Sequence, residues 1–244
     1  MNMPLKSLFA SLVFGLVCLG CSSENTSRLE VRLTDSLGDF DAVNIDIQGV
    51  EVNSSNANSG WVSLDIAKGV YDILKLTNGL DTLLGSLELP SGKVSQIRLI
   101  LGDKNSIKIN GQIHNLTTPG AQQSGLKLNL HATLTEGITY TILLDFAAAR
   151  SIVRRGNGTY SLKPVIRAIE EATSGVIKGT ITPVDATPAV YVIAGSDTVS
   201  STFADTTGKF LVRGVAAGVY NVSIVPGVTY VPALKTGVTV RLER

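Results

Sequence analysis

A chain of 244 residues with 44% hydrophobic and 17% charged side chains is suited to packed globular structure and excludes a disordered or fibrous one. Its formal net charge of +1 excludes the basic excess with which nucleic-acid binders hold phosphates. Its two cysteines, Cys18 and Cys21, both lie near the start, so the body that follows has no thiolate metal site and no disulfide.

The first element is an export segment. Lys6 supplies a positive start, and from Leu8 to Leu19 the chain is almost wholly apolar. That run of about a dozen residues falls short of the roughly 20 that span a bilayer, so residues 1–20 are expected to be a secretory signal and not an anchor. The following Leu19-Gly20-Cys21-Ser22-Ser23 resembles the lipobox of bacterial lipoproteins, with Cys18 standing where that pattern usually has leucine. The resemblance implies lipid on Cys21, a tether over 21–27 and attachment to a membrane through it. Ser22, in place of the aspartate that retains lipoproteins at the inner membrane, implies an outer-membrane destination, periplasmic or surface-facing. Removing Lys6 with the signal leaves a neutral body.

Period-2 alternation then predicts strands. Leu29, Val31 and Leu33 alternate with Glu30 and Arg32, and Val43, Ile45 and Ile47 with Asn44 and Asp46. Gly49 shifts the phase to Val50 and Val52, which predicts a bulge. Val70–Leu76 fits a strand or a short helical turn, and 94–101 a strand. Ile107-Lys108-Ile109 and Ile113 flank Asn110-Gly111, a two-residue hairpin signal. Leu126, Leu128 and Leu130 continue the series, and the alanines within 145–153 predict a short helix. The chain should return to a strand through Tyr160, Leu162 and Val165, with Pro164 at an edge or bulge. Near Glu170-Glu171-Ala172-Thr173-Ser174-Gly175 the texture changes and a second unit of about 70 residues begins, small yet foldable without disulfides. The expected fold class is all-β: two tandem β-sandwich domains over 28–172 and 173–244.

Two stretches resemble known families. Arg32-Leu33-Thr34-Asp35, 38–43, 96–101, 124–128, Leu144-Asp145-Phe146 and 162–167 resemble the Bacteroidota lipoprotein domain of unknown function numbered 4382, which implies an Ig-like sandwich and no mechanism. Gly179, 205–210 and 214–222 resemble the carboxypeptidase regulatory-like domain, a prealbumin-type sandwich whose wider fold group includes starch-binding domains. The glycines of that pattern suit the tight turns between its strands.

Candidate chemistry is sparse. Asp35, Asp39 and Asp41 share one loop and would offer hard oxygen ligands to a structural calcium, though aspartates also build ordinary turns and no EF-hand spacing is present. Beyond that calcium no cofactor is expected. His114 and His131 sit at polar phases of their strands and are expected in solvent, and no nucleophile motif accompanies them. Arg150, Arg154 and Arg155 form a basic patch around the expected helix, either a solvated face or a contact for an anionic glycan or headgroup. Trp61 and Tyr230 are the candidate platforms for a sugar, with core packing the alternative for Trp61. An internal Lys178–Asn isopeptide bond is not expected, because the last strand lacks the asparagine. The chain is expected to be a non-catalytic envelope lipoprotein acting as a binding or structural module of unknown ligand, a glycan or a protein. A carbohydrate-binding surface protein is the nearer alternative and a carboxylate-dependent hydrolase the more distant one.

Overall fold

The computed structural model describes residues 26–35, 40–56, 60–118, 120, 124–171, 174–227 and 230–241. The export segment, Cys21 and Asp39 lie outside these.

The protein is all-β. The chain forms β1 (Thr26–Asp35), β2 (Ala42–Ser54), β3 (Trp61–Ser63), β4 (Asp65–Ile66) and β5 (Gly69–Asp72), then a 3-10 turn at Ile73–Leu76. There follow β6 (Thr82–Pro90), β7 (Gly92–Leu101), β8 (Ser106–Ile109), β9 (Gln112–Thr117), β10 (Leu126–Leu134) and β11 (Thr139–Phe146). A helical turn at Ala148–Ser151 leads to β12 (Ile152–Arg154), β13 (Tyr160–Leu162) and β14 (Ile166–Glu170). The last part holds β15 (Gly175–Thr180), a 3-10 turn at Val184–Ala186, β16 (Ala189–Ala194), β17 (Asp197–Phe203), β18 (Lys209–Val215), β19 (Gly218–Val225) and β20 (Ala233–Val240).

Two sheets enclose the larger core. One runs β14-β11-β1-β6-β4, with β1 parallel to β11, and the other runs β10-β7-β2-β8-β9-β13-β12 with β3 and β5 also on β2. Alternation explains the enclosure: Leu29, Val31 and Leu33 of β1 and Ile142, Leu144 and Phe146 of β11 are fully buried, and face Val43, Ile45 and Ile47 of β2 and Ile97 and Leu99 of β7. A second, separate core gathers Ile177, Val190, Val192, Phe210, Val212 and Val222 between β15-β18 and β17-β16-β19-β20.

Local turn chemistry follows the sequence closely. The β2–β7 register shifts at Ile47/Gly49, the bulge that the phase change predicts. Asn110 and Gly111, at φ 49 and 78, supply the two left-handed residues that a type I′ hairpin between β8 and β9 requires. The Val70–Leu76 stretch divides between strand β5 and the 3-10 turn.

Three expectations need correction. The helix expected within 145–153 is a single turn, because Asp145 and Phe146 are claimed by the ladders to β1 and β14, and β-branched Ile152 and Val153 by β12. The strand expected through Val165 is broken. Pro164 lacks the N–H that would continue β13, so the chain crosses there to the other sheet and resumes as β14. His114 is not in solvent but half-buried, its ring centroid 5.1 Å from that of Tyr160, while its neighbour Ile113 is 69% exposed. The hairpin sets the phase of β9, and it turns His114 and Leu116 inward. His131 is exposed as expected.

The turn before β18 is held by Asp205, whose Oδ1 accepts from the Thr207 hydroxyl (2.7 Å), the Thr207 N–H (2.8 Å) and the Lys209 N–H (3.0 Å). The Thr207 hydroxyl first, then these N–H groups and the Lys209 charge, hold the carboxyl below the usual aspartate range. A depressed folded pKa stabilises the folded chain at neutral pH and loses that contribution as pH falls through the folded value. In urea unfolding, the stability gap between the wild type and Asp205→Ala is therefore expected to narrow between pH 5 and about pH 3. A gap that widened on acidification would contradict the assignment.

Candidate functional site

Among the described residues, those singled out by sequence do not converge. Asp35 is buried at the end of β1, where its Oδ1 accepts from the Ala148 N–H at 3.1 Å. Asp41 accepts from the Gly111 N–H at 2.8 Å and fastens the hairpin tip. These two carboxylates serve different turns, and among the described residues no group of three His, Cys, Asp or Glu gathers as a metal site. Trp61 is half-buried on β3 in the first module, and the Arg98 guanidinium carbon lies 4.0 Å over its ring. Arg98 is itself fixed to Glu51 at 2.7 Å, so that face of the indole is covered.

Tyr230 belongs to the second module and is 40% exposed. Its hydroxyl donates to Asp185, with both carboxylate oxygens at 3.0 Å. This bond, with smaller contributions from desolvation and the carboxylate's charge, raises the phenol pKa, so the hydroxyl stays a donor. The ring lines an apolar groove of about 370 Å³ with Ile181, Pro183, Ile224 and Val231.

Several polar contacts join the two modules. Asn78 and Gly79 have φ of 57 and 80, a consecutive left-handed pair that projects the loop before β6 into the second module. There the Asn78 N–H donates to Thr202 Oγ1 (3.0 Å), its Nδ2 donates to the Lys209 carbonyl (3.3 Å), and its Oδ1 accepts from the Leu211 N–H (2.7 Å). A Cβ on Gly79 would fall 2.1 Å from Leu211 Cδ2, so only glycine admits this approach without a shift. Beside the loop, Asp81 accepts from both Arg32 and Arg213, and Arg213 also pairs with Glu171. Burial opposes the Arg213 charge, but hydrogen bonding to Asp81 and the attraction of Glu171 and Asp81 overcome it and raise the pKa. A second bridge runs from Arg167 of β14, which holds Asp145 and donates to Ser200 Oγ of β17 at 3.1 Å.

Next to that second bridge lies a cleft of about 480 Å³. Ala147, Arg150, Val165 and Arg167 form its first-module wall and residues 196–201 the other. Of the basic patch seen in the sequence, Arg150 alone lines this cleft. Arg167 and the hydroxyl run Ser196-Asp197-Thr198-Val199-Ser200-Ser201 carry no motif, and only the density of hydroxyls in that strand hinted at them.

Fold and site together define an all-β protein of two sandwiches joined through a polar, ion-paired junction. Residues 26–164, more than half of the chain, match the family model described as Domain of unknown function (DUF4382), and the chain belongs to that family. The match ends at the crossing where Pro164 interrupts the strand, so β14, which completes the first module's sheet, lies beyond it. Among curated proteins no sequence matches the chain. Among the described residues no helix is long and apolar enough to cross a membrane.

Proposed function

We propose that this protein is a non-catalytic lipoprotein of the cell envelope, of Bacteroidota type, held at the outer membrane by lipid on Cys21 and binding a glycan or an envelope protein. Its second module is proposed to be a carboxypeptidase regulatory-like sandwich, supported by the two facing sheets and by Asp205 and Gly208 at the turn the family pattern marks.

The observation that carries the reading is the lipobox-like Leu19-Gly20-Cys21 after the apolar run, and the direction of β1 says what such an anchor would present. The strand enters the fold at Thr26, where the Thr26 carbonyl accepts from the Gly137 N–H and Thr26 pairs with Pro90. It ends at Thr34 and Asp35, which line a small cavity of about 20 Å³ with Asn78 and residues 200–202 of the second module. Ten strand residues cover roughly 33 Å. An anchor a few residues before Thr26 therefore leaves the first module as a spacer and holds the second on the far side from the membrane. The junction cleft and the Tyr230 groove then face outward.

Feeding cells labelled palmitate tests the anchor. The wild-type protein is expected to carry label and to sediment with outer membranes, and Cys21→Ser to lose both properties. A Cys21→Ser protein that still carried label would overturn the reading. A fluorophore at Glu136 is further expected to be quenched by a headgroup-level quencher, and one at Thr236 to be spared.

A further inference from the structure

We infer that the cleft at the module junction is a binding site for an acidic saccharide, one uronate carboxylate seated on Arg150 and its hydroxyls on the β17 wall. The inference rests on the binding role proposed above and names the site and ligand class for it.

The argument begins with how the arginines are used. Arg28, Arg32, Arg98, Arg167 and Arg213 are each committed to a carboxylate of the protein. Arg150, Arg154 and Arg155 are exposed with no ion-pair partner among the described residues, and of these three Arg150 alone lines the cleft. A planar guanidinium presents paired donors that match a carboxylate, and at Arg150 these donors are open to a ligand. Arg167 reinforces the same wall but is neutralised by Asp145, which also fixes its orientation.

The opposite wall is of another kind. Ser196, Thr198 and Ser201 add hydroxyls that both donate and accept, and Asp197 adds an acceptor-only group. The lining thus combines the Arg150 cation on one wall with a carboxylate and several hydroxyls on the other. A ligand that complements it carries one anionic group at one end and hydroxyl donors at the other. A uronic acid residue has that layout, with one carboxylate and several ring hydroxyls. No aromatic residue lines the cleft, so a neutral sugar finds no stacking face there and charge must decide selectivity. The volume lies within the roughly 300–1,000 Å³ of small-ligand sites. Because both walls belong to modules already locked by Asn78 and Asp81, the backbone of the site is built before the ligand arrives and the ordering cost falls chiefly on the Arg150 side chain.

Titration calorimetry of the detergent-solubilised full-length protein tests the site, with trigalacturonate as probe and maltotriose as the neutral control. Trigalacturonate is expected to bind with an affinity that falls as salt rises, and maltotriose to bind far more weakly. Arg150→Ala should raise the Kd by about tenfold or more, Arg150→Lys by less, and Trp61→Ala should leave it unchanged. Arg150 is exposed, so its replacement leaves the fold intact. Equal binding of the two trisaccharides, or an unchanged Kd in Arg150→Ala, would overturn the proposal. If trigalacturonate does not bind while palmitate still labels Cys21, the cleft assignment falls and the lipoprotein reading stands. If trigalacturonate binds while Cys21 carries no label, the cleft assignment stands and the anchor falls.

Discussion

Asp81→Ala is expected to lower stability by about 3 kcal/mol and to split unfolding into two transitions, one for each module. Asp81 is the shared acceptor of Arg32 and Arg213, and its side chain is only 10% exposed. Its removal leaves two guanidinium groups close together, with Glu171 alone to balance Arg213 and only the longer contact to Glu30, at 3.6 Å, to balance Arg32. The cost comes from the stranded charges more than from the lost bonds, since breaking one partner of a buried pair is worse than removing the pair. Asp81→Ala combined with Arg213→Ala should therefore recover part of the loss, a non-additivity that distinguishes the network from independent contacts. Calorimetry reports the transitions, and Trp61 fluorescence follows the first module alone. A single transition at the wild-type temperature would show that the modules are coupled by something else, such as the packing of Ile169 against Gly214.

The consequence for binding separates this network from ordinary stabilisation. The cleft draws one wall from each module, so a junction that loosens before either sandwich melts should lose ligand affinity at temperatures where both cores remain folded. The three Asn78 hydrogen bonds act in the same direction, because they tie the loop before β6 to both β17 and β18.

How far the sequence reveals this arrangement depends on the distance over which each feature is encoded. Alternation at Leu29, Val31 and Leu33, the Gly49 bulge and the Asn110-Gly111 hairpin are written within a few residues, and each is present as expected. The parallel pairing of β1 with β11 joins residues 28–35 to 139–146, and no local pattern specifies it. Whereas the break at Pro164 is written locally in the missing proline N–H, the shortened helix follows from that pairing, since ladder bonds to β1 and β14 override the helix preference of the alanines. The junction is hidden for the same reason. The contacts of Asn78, Gly79 and Asp81 with the second module join residues 124 to 134 positions apart, the Arg167–Ser200 bridge spans 33, and Asn78-Gly79 read alone is a turn like any other. Arg150 was visible as part of a basic patch, but that it faces a cleft while Arg154 and Arg155 do not depends on where β14 and β17 meet.

Phe146→Ala is expected to cost about 3–5 kcal/mol, the most of any single truncation considered for this chain. The ring is fully buried at the end of β11, between Asp35 of parallel β1 and Ile166 of antiparallel β14. Alanine would leave a cavity where two sheets and the helical turn converge, and regular strands on both sides limit collapse into it. The next residues then transmit the change: Ala147 lines the cleft, the Ala148 N–H rests on Asp35, and the Arg150 N–H is held by the Ala147 carbonyl. Loss of packing beneath this turn should free Arg150, so amide exchange at 148–151 is expected to accelerate more than in β2 or β7. Phe146→Leu keeps most of the volume and should cost less than about 1.5 kcal/mol, with slow exchange retained. Urea unfolding and hydrogen exchange measure the two effects separately. A Phe146→Ala protein within about 0.5 kcal/mol of the wild type would refute the packing described here. A large loss of stability with unchanged exchange at 148–151 would refute the link between the core and the cleft.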